Sequence, residues 1–485
     1  MTSALSRQWT DLLARVGEGL MVWTHSGKVR PGDVFVAVPG AKVDGAVFIP
    51  QALERGAAFV VARNAEGWPA NAKAELVLHP DPARALGELA AAYFRTRAHP
   101  FKLVGVTGTN GKTTTAYLVE YLMHANGRRV GVLGTINYRW PGVVLESQLT
   151  TPDCWKTHEL LANMARAKVE AAVMEVSSHA LDQARVAGLL YDVAVMTNLT
   201  QDHLDYHGTM ENYLAAKSRL FSEYSAPGRT AVLNWDDPSC LMLLRSIPGA
   251  VGYGLTQPPE GDFRALNGRL VSSSAAGMEL EIMWEDRTIH ISSPLVGRHN
   301  AQNILAAIGA GLGLGLPLKA MRVLNDFYGV PGRLERVPNP KGLNVFVDYA
   351  HTPDALENVL SAVKSLRPKK LVVVFGCGGD RDRTKRPLMG HAVASWADVA
   401  VLTSDNPRNE DPFRIMDDVR PGLAGAAQVV EEVDRREAIR VALEGLGPED
   451  VCVIAGKGHE MYQQIGELKF PFNDAQVVRE VLECA

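Results

Sequence analysis

The sequence contains 485 residues, a length that exceeds one ordinary domain and predicts about three. Apolar residues make up 46% and charged residues 21%, which is typical of a folded globular protein. The formal net charge of -4 argues against a nucleic-acid-binding protein, and no apolar run is long enough to span a membrane. Because the first residues lack a basic, apolar, cleavable pattern, we expect the protein in the cytoplasm.

The first hundred residues or so have the pattern of a small α/β module. Short β runs at Val34–Val38 and Phe59–Ala62 are separated by Pro-Gly and Asp-Gly turns, and an Ala-rich helix follows around Ala83–Arg97. The turns leave backbone amides free for a ligand, although the same pattern fits turns without a binding role. A linker at His99-Pro100 ends this region.

The next stretch, Leu103–Val119, reads LVGVTGTNGKTTTAYLV and predicts a strand, a Gly-rich phosphate loop and a helix. Gly108 and Gly111 let the backbone curl so that its N–H groups face oxyanions. Lys112 would lie along the β- and γ-phosphates of a nucleotide, and the Thr113 hydroxyl would bind Mg²⁺. Val106 stands where the full Walker A pattern has glycine, so a purely structural turn stays open.

Strands and helices then alternate up to about residue 328. The buried-type strands Ala171–Val176 and Val193–Asn198 each end in polar residues. Ligands gather at the carboxyl ends of parallel strands. Glu175 is therefore a candidate for a carboxylate that binds Mg²⁺ directly or hydrogen-bonds to a group that binds it. A more polar insert over residues 257–291 predicts a β subregion to which we assign no function.

After Pro331–Arg333 the alternation resumes with four apolar strands, each followed by a polar turn. This pattern predicts a second doubly wound domain. The turns carry the basic residues Arg381, Lys385, Arg386 and Arg408. They suit an anionic or carboxylate-bearing substrate, whereas the alternative is a solvated charged rim.

Motifs in a fixed order connect these regions. They are TGTNGKTT (Thr107–Thr114), TTPD (Thr150–Asp153), MEVSSHAL (Met174–Leu181), NLTQDHLDYHG (Asn198–Gly208), YLAAKSRLF (Tyr213–Phe221), GRHNAQNILAA (Gly297–Ala307), GVPGRLERV (Gly329–Val337), VDYAHTPD (Val347–Asp354), GCGGDRD, SDNPR and AGKGHE. On these motifs the chain resembles the Mur ligase family over essentially its whole length. It is most similar to the members that add the third amino acid of the peptidoglycan peptide. In that family TGTNGKTT is the usual form of the phosphate loop, so Val106 is not a departure from the family pattern.

The resemblance implies an α/β protein of three domains. They are a small nucleotide-sugar-binding domain over residues 1–99, a central P-loop ATPase domain with a mostly parallel sheet over 100–329, and a C-terminal Rossmann-like domain over 330–485 that brings the amino acid. We expect a monomer.

The resemblance also implies the reaction. ATP would phosphorylate the D-Glu carboxylate of UDP-MurNAc-L-Ala-D-Glu, and an incoming amine would displace the phosphate. The implied ATP-binding residues are Gly108, Thr109, Asn110, Gly111, Lys112, Thr113, Thr114, Asn300, Arg333, Asp348 and His351.

The implied catalytic residues are Lys112, Lys217 and His203. Thr113 and Glu175 would hold one Mg²⁺, and His203 and a carbamylated Lys217 would hold a second. A plain lysine repels a cation, whereas a carbamate supplies a carboxylate-like ligand. Without the family, Lys217 would be interpreted as a charge on a helix surface.

The implied contacts to the UDP-sugar dipeptide begin with Ser26 in the first domain. The others are in the central domain: Thr150, Thr151, Ser177, Gln183 and Arg185. The chain departs from the family at His25-Ser26-Gly27, where Asp-Ser-Arg is usual, so it keeps Ser26 without the two charged neighbours.

The third amino acid depends on the C-terminal turns. The implied residues are Arg381, Asp405, Asn406, Pro407, Arg408, Gly456 and Glu460. The DNPR form (residues 405–408) favours meso-diaminopimelate, because its second amino-acid head carries a carboxylate that suits a bidentate arginine. L-Lysine and L-ornithine stay open as alternatives.

Two other functions stay open from the sequence. One is a neighbouring ligase, such as a folylpolyglutamate synthetase or another Mur step, against which DNPR and KGHE argue. The other is a P-loop nucleotide-binding regulatory protein without ligase activity, which would not need the many polar loops beyond the nucleotide site.

Overall fold

The structure is a computed structural model that describes residues 2–40 and 43–484. It has two compact units. The first contains the chain up to Tyr253 together with Pro258–Ala265 and Ala306–Ala320, and the second contains Gly254–Gln257, Leu266–Leu305 and the chain from Met321 onward. The predicted boundaries at 99/100 and 329/330 stay a prediction.

The first unit begins with a four-stranded parallel sheet in the order β1-β2-β3-β4. Its elements are α1 (Thr2–Gly17), β1 (Val22–Trp23), β2 (Val34–Val36), α2 (Ile49–Glu54), β3 (Phe59–Ala62), β4 (Glu75–Leu78) and α3 (Pro82–Phe94). Short 3₁₀ helices lie at Ser26–Lys28 and Gly45–Phe48. The predicted helix around 83–97 is confirmed, but it ends at Phe94 because Arg95 adopts a left-handed conformation with φ 56°.

The same unit contains a second, larger set of elements. They are β5 (Lys102–Thr107), α4 (Lys112–Ala125), β6 (Val130–Leu133), β7 (Asn137–Trp140), β8 (Val143–Glu146), α5 (Cys154–Arg166), β9 (Ala171–Glu175), α6 (Ser178–Asp182), β10 (Tyr191–Met196), α7 (Leu204–His207), α8 (Met210–Ser222), β11 (Ser225–Asn234), α9 (Pro238–Arg245) and β12 (Ala250–Gly254).

These strands lie in the order β12-β11-β10-β5-β9-β6-β7-β8, parallel except for the β6–β7 and β7–β8 pairs. Strand β5 therefore lies between β10 and β9, and Val104 pairs with Val193 on one side and Val173 on the other. The apolar run that predicted β5 is buried on both faces, as a central parallel strand requires.

Three antiparallel strands form the predicted β subregion. They are β13 (Phe263–Ser274), β14 (Gly277–Trp284) and β15 (Arg287–Ser293), paired as a meander. Along β14 the buried Leu280 and Ile282 alternate with the more exposed Glu279 and Glu281, which explains the polar character of the insert. Helix α10 (Arg298–Gly313) and a 3₁₀ segment (Leu318–Asp326) follow.

The C-terminal part of the second unit has a six-stranded sheet in the order β16-β17-β21-β18-β19-β20, antiparallel only at β16–β17. Its elements are β16 (Glu335–Arg336), β17 (Asn344–Asp348), α11 (Pro353–Lys364), β18 (Leu371–Phe375), α12 (Lys385–Trp396), β19 (Val399–Leu402), α13 (Pro412–Val419), β20 (Val429–Glu431), α14 (Arg435–Leu443), β21 (Val451–Ala455), a separate hairpin of β22 (Tyr462–Ile465) and β23 (Leu468–Pro471), and α15 (Asp474–Cys484).

The four predicted strands of this region are present as β17, β18, β19 and β21, so the carboxyl ends of neighbouring parallel strands carry the polar turns to one edge. Two apolar clusters cover the two faces of the sheet, one containing Phe346, Val373 and Leu402 and the other Val347, Val374 and Val401. The predicted α/β class is confirmed. In the described ranges no helix is long and apolar enough to cross a membrane.

Candidate functional site

The phosphate loop lies between the end of β5 and the start of α4. Gly108 has φ +141°, and a Cβ on it would lie 1.9 Å from the Thr197 hydroxyl oxygen, so a side chain there has no room. Gly111 precedes α4 with φ 84°, and the helix begins at Lys112. The loop therefore presents backbone N–H groups at a helix N-terminus, which is a site for anions.

The segment after β10 holds this loop in place. Thr109 N donates to Asn198 O at 3.0 Å, and Asn110 N donates to the Asn198 side-chain oxygen at 2.9 Å. The Thr197 hydroxyl donates to Asn110 O at 2.6 Å. The motifs TGTN and TNLT thus form one hydrogen-bonded unit across two neighbouring strand ends.

Two lysines meet at one carbonyl of the loop. Lys112 Nζ donates to Gly108 O at 2.9 Å and to Thr109 O at 2.8 Å, and Lys217 Nζ also donates to Gly108 O at 2.9 Å. Lys217 is only 1% exposed. Burial lowers the pKa of Lys217 well below its usual value, and the nearby charge of Lys112 lowers it further.

Glu175 ends β9 beside the loop, and its carboxylate is surrounded by hydroxyls. Oε2 accepts hydrogen bonds from the hydroxyls of Thr113 at 2.8 Å and Thr135 at 2.9 Å, and Oε1 accepts from Thr135 N at 2.9 Å. Glu175 is buried, and within the described ranges no Lys or Arg forms an ion pair with it. A buried carboxylate among hydroxyl oxygens, without a direct ion pair in the described residues, is a donor set that suits Mg²⁺. The charge of Arg139 acts on Glu175 only at longer range.

His203 lies on the same side of the unit, with its backbone in the left-handed region (φ 53°). Its Nε2 is 3.4 Å from the Asp202 carboxylate, and partial burial lowers its pKa. The Tyr213 ring connects it to the buried lysine, with the His203 ring centroid at 6.1 Å and Lys217 Nζ at 4.5 Å. Among the residues described, no three His, Cys, Asp or Glu side chains form a group that could hold a metal ion.

The predicted dipeptide-binding residues of the central region lie close to Glu175. The Thr150 and Thr135 hydroxyls are 3.1 Å apart, and the Thr151 hydroxyl donates to Glu175 O at 2.8 Å. Ser177 N donates to that same Thr151 hydroxyl at 3.0 Å.

Two further predicted residues join this group. Arg185 donates to Thr151 O at 3.3 Å and to the side-chain oxygen of Gln183 at 2.6 Å. The structure therefore brings Thr150, Thr151, Ser177, Gln183 and Arg185 together at the carboxyl end of β9.

Ser26 lies in the four-stranded sheet region, in the 3₁₀ turn whose preceding residue, His25, accepts a hydrogen bond from Gly27 N. The Ser26 hydroxyl is buried and donates to the Gln51 side-chain oxygen at 2.5 Å. The structure thus places Ser26 inside the turn, with its hydroxyl already engaged.

The other predicted nucleotide residues lie in the second unit. Asp348 accepts hydrogen bonds from Leu334 N at 2.6 Å and Ala350 N at 2.7 Å, and burial raises its pKa despite the charge of Arg333. The Arg333 guanidinium lies 5.1 Å from the Tyr349 ring centroid. Among the described residues, Arg333 Nε is buried without a hydrogen-bond partner.

The remaining two of these residues have local contacts. His351 Nδ1 is 2.8 Å from Tyr349 O, and the His351 and Tyr349 rings are 4.6 Å apart. Asn300 is buried in α10, where its side-chain amide donates to Val296 O at 2.9 Å.

A cavity of about 480 Å³ opens at the carboxyl edge of the six-stranded sheet. The predicted amino-acid-binding residues that line it are Arg381, Asp405, Asn406, Arg408, Gly456 and Glu460. Pro407 is buried beside it, and its carbonyl accepts from Glu410 N at 3.0 Å. At Gly456 a Cβ would lie 2.5 Å from the Asp405 carboxylate, so glycine there keeps that carboxylate in place.

Arg408 is held by backbone on two sides. Its N–H donates to Gln464 O at 3.1 Å, its carbonyl accepts from Gly466 N at 2.7 Å, and its Nη1 donates to Gly379 O at 2.6 Å. Within the described ranges no carboxylate pairs with Arg408. The guanidinium is therefore available to an anionic group in the cavity.

Sequence reasoning missed several contributors to these sites. Thr135 follows the apolar run of β6, so a polar residue at a strand end could have identified it. Lys457 lies in the AGKGHE turn and is fully buried. Tyr213 and Tyr349 lie within the YLAAKSRLF and VDYAHTPD motifs, but the motifs do not predict their ring contacts, because these contacts join segments far apart in the chain.

Comparisons with known proteins agree along the whole chain. The Mur ligase family catalytic domain matches residues 21–94, the Mur ligase middle domain matches 106–311, and the glutamate ligase domain of Mur ligases matches 332–458. A UDP-N-acetylmuramoyl-L-alanyl-D-glutamate--2,6-diaminopimelate ligase of Lawsonia intracellularis is 50% identical over 465 residues, which cover 96% of each chain. A protein of the same name from Synechococcus elongatus is 47% identical, covering 95% of this chain and 93% of its own.

Solved structures give the same result. A structure of a UDP-N-acetylmuramoyl-L-alanyl-D-glutamate--2,6-diaminopimelate ligase matches with a TM-score of 0.71 and 35% identity, covering 96% of this chain and 94% of its own. A MurF ligase from Thermotoga maritima in complex with ADP shares the fold, with a TM-score of 0.56, 21% identity and 98% of both chains covered. The chain belongs to the Mur ligase family.

Proposed function

We propose that the chain is an ATP-dependent ligase that joins meso-diaminopimelate to the D-Glu carboxylate of UDP-MurNAc-L-Ala-D-Glu, with release of ADP and phosphate. The two relatives described above, both named as diaminopimelate ligases, are 50% and 47% identical across nearly the whole chain, which supports the substrate assignment. The cytoplasmic location and the monomeric state expected from the sequence stay predictions.

The observation that supports the first half-reaction, phosphoryl transfer from ATP, is that Lys112 and Lys217 both donate hydrogen bonds to the phosphate loop at Gly108 O. A carboxylate is a poor electrophile, so the γ-phosphoryl group must first be transferred to it to form an acyl phosphate. The donor and acceptor in this transfer are both anionic, and the positive charge of Lys112 at the loop stabilises the transition state. Lys112 turns back onto its own loop in the structure and would exchange these carbonyls for phosphate oxygens.

Thr113 and Glu175 would hold an Mg²⁺ ion, and the hydroxyls around the buried Glu175 carboxylate fit that role. The ion would neutralise charge on the phosphates. A second ion would use His203 and a carbamate on Lys217. The depressed pKa of Lys217 favours the neutral amine, which is the form that reacts with carbon dioxide.

In the second half-reaction the amine of the diamino acid attacks the acyl carbon, forming a tetrahedral intermediate. The C–O bond to phosphate then breaks, the amine loses a proton, and an amide remains. The cavity lined by Arg408, Asn406 and Glu460 would hold the far amino-acid head of diaminopimelate. Its carboxylate would pair with Arg408, and L-lysine or L-ornithine would leave that pairing unmade.

ADP release tests the proposed function. We expect it to require both UDP-MurNAc-L-Ala-D-Glu and diaminopimelate. Lys112→Ala should lower the turnover number by at least about 100-fold, the range seen when one transition-state donor is removed. Lys156→Ala is the matched control, because Lys156 is paired with Glu159 in a partly exposed surface contact. ADP release that ignores both substrates would instead favour a nucleotide-binding regulatory protein.

A further inference from the structure

Lys457 is a fully buried lysine beside the amino-acid cavity. It follows β21 in the AGKGHE turn and is 0% exposed. Its Nζ donates to the Asn406 side-chain oxygen at 2.9 Å and lies 3.1 Å from Glu460 Oε2. A buried ammonium needs such partners, because an unpaired charge in the interior is costly. Lys457 thus connects two residues that line the cavity.

The contacts determine which way the Asn406 amide points. Its Oδ1 accepts from two donors, Lys457 Nζ at 2.9 Å and Gln464 N at 2.8 Å, while its Nδ2 donates to Glu460 Oε2 at 2.8 Å. Rotating the amide by half a turn would place its NH₂ group against both donors. Only one orientation satisfies all three groups.

The same contacts determine which hydrogen-bonding groups of Asn406 and Glu460 remain available to a ligand in the cavity. Glu460 uses Oε2 for both Lys457 and Asn406, and among the described residues no contact engages its Oε1 or the second N–H of Asn406. Both side chains line the cavity. One donor and one acceptor therefore lie next to each other, which matches the carboxylate and ammonium of an amino-acid head.

We propose that Lys457 is a positioning residue that orients Asn406 and Glu460 for the second amino-acid head of the substrate, and so determines the preference for diaminopimelate over L-lysine. This inference rests on the proposed function. Without Lys457, the Asn406 amide loses one of the two donors that determine its orientation. Glu460 also loses its buried counter-charge. Both changes weaken binding of a substrate that carries the second head.

The test is Lys457→Met, which keeps the length of the side chain and removes its charge and donors. In steady-state ADP release we expect the KM for diaminopimelate to rise about 10- to 100-fold, the range for losing hydrogen bonds to charged groups. The KM for ATP and kcat should stay close to wild type. The preference for diaminopimelate over L-lysine should fall by a similar factor.

Lys469→Met is the matched control. Lys469 Nζ lies 4.1 Å from the Tyr462 ring, and Lys457 Nζ lies 5.8 Å from the same ring, but no described contact joins Lys469 to Asn406 or Glu460. The control should keep the wild-type KM. Lys457→Gln retains an N–H donor without charge, so we expect it to restore part of the affinity lost in Lys457→Met.

A folded Lys457→Met with an unchanged KM for diaminopimelate, or with equal rises for ATP and diaminopimelate, would overturn the inference. If Lys457→Met does not fold, Lys457→Gln provides the test. An unchanged preference for diaminopimelate over L-lysine in Lys457→Gln would then contradict the inference. A wild-type protein without diaminopimelate-dependent ADP release would contradict the proposed function instead. The two failures are therefore distinguishable.

Discussion

At the scale of single residues, Lys217 shows how far burial changes an interpretation. In the helical sequence YLAAKSRLF it has the pattern of a solvated surface charge, and only family resemblance implies otherwise. The structure buries it in α8 against Gly108 O, beside Lys112. Helical periodicity predicts which face of α8 is apolar. It does not predict that this helix packs against the phosphate loop, which provides the partner for the buried Lys217.

Replacing Lys217 tests the carbamate. Lys217→Ala should lose most activity, because the variant lacks both the loop contact and the proposed metal ligand. Short carboxylic acids such as acetate should restore part of the ADP release by filling the vacated space with a carboxylate. Lys112→Ala, measured under the same conditions, should show no rescue. Full activity of Lys217→Ala would exclude a catalytic role.

Glu175 is a residue whose surroundings follow from the sequence more directly. A carboxylate at the end of a buried strand is expected near a loop at the end of the neighbouring strand, because parallel strands end at one edge. The structure brings Glu175 within 2.8 Å of Thr113 as expected. The hydrogen bonds that Thr135 donates to Glu175 depend on β6 lying beside β9. That strand order is a feature of the tertiary structure and does not follow from the local sequence.

At the scale of elements, the predicted strands with continuous apolar runs are present, since burial on both faces leaves an unmistakable pattern. No strand is predicted over residues 462–471, where the structure has the hairpin β22–β23. Its exposed Ile465 and Leu468 give no core pattern. Its role lies in backbone contacts with Arg408 and Asn406, which a residue pattern does not reveal.

Helices α14 and α15 offer a stability test. Arg435 and Asp474 form a bidentate pair with both contacts at 2.8 Å, and both side chains are 0% exposed. Asp474→Asn should lower the free energy of unfolding by about 3–5 kcal/mol, because it leaves the Arg435 charge buried and uncompensated. Urea unfolding measures this loss.

The same two helices supply the control. Arg436 and Glu480 also pair between them, but both are substantially exposed. Glu480→Gln should therefore change the free energy of unfolding by no more than about 1 kcal/mol. Equal losses in the two variants would mean that burial does not determine the contribution of these ion pairs.

At the scale of the whole molecule, the proposed selection of the third amino acid requires the complete six-stranded sheet. The predicted amino-acid-binding residues of the cavity come from turns after β18, β19 and β21, which are neighbours only once the strand order β21-β18-β19 is formed. The DNPR turn by itself favours diaminopimelate. Arg408 donates to a backbone carbonyl and pairs with no carboxylate among the described residues, so under the proposed function its guanidinium would pair with the second carboxylate of the substrate.

Arg408→Ala tests this selection. The KM for diaminopimelate should rise by about 10- to 100-fold, corresponding to about 1.5–3 kcal/mol for lost hydrogen bonds to a charged group, while the KM for ATP stays unchanged. Turnover with diaminopimelate, L-lysine and L-ornithine should be compared in the same assay. Arg440→Ala is the control, because Arg440 pairs at the surface with Glu437. Equal effects on diaminopimelate and ATP would remove Arg408 from the amino-acid site.

The α/β class, the phosphate loop and the polar turns at strand ends could be predicted from the sequence, because those features depend on local residue patterns and on the direction of each strand. The tertiary structure alone decided that β5 lies between β10 and β9, that Lys217 is buried on the loop, and that Lys457 joins Asn406 to Glu460. Strand order and buried polar contacts depend on packing between segments distant in the chain, and a local pattern carries no record of its distant partners.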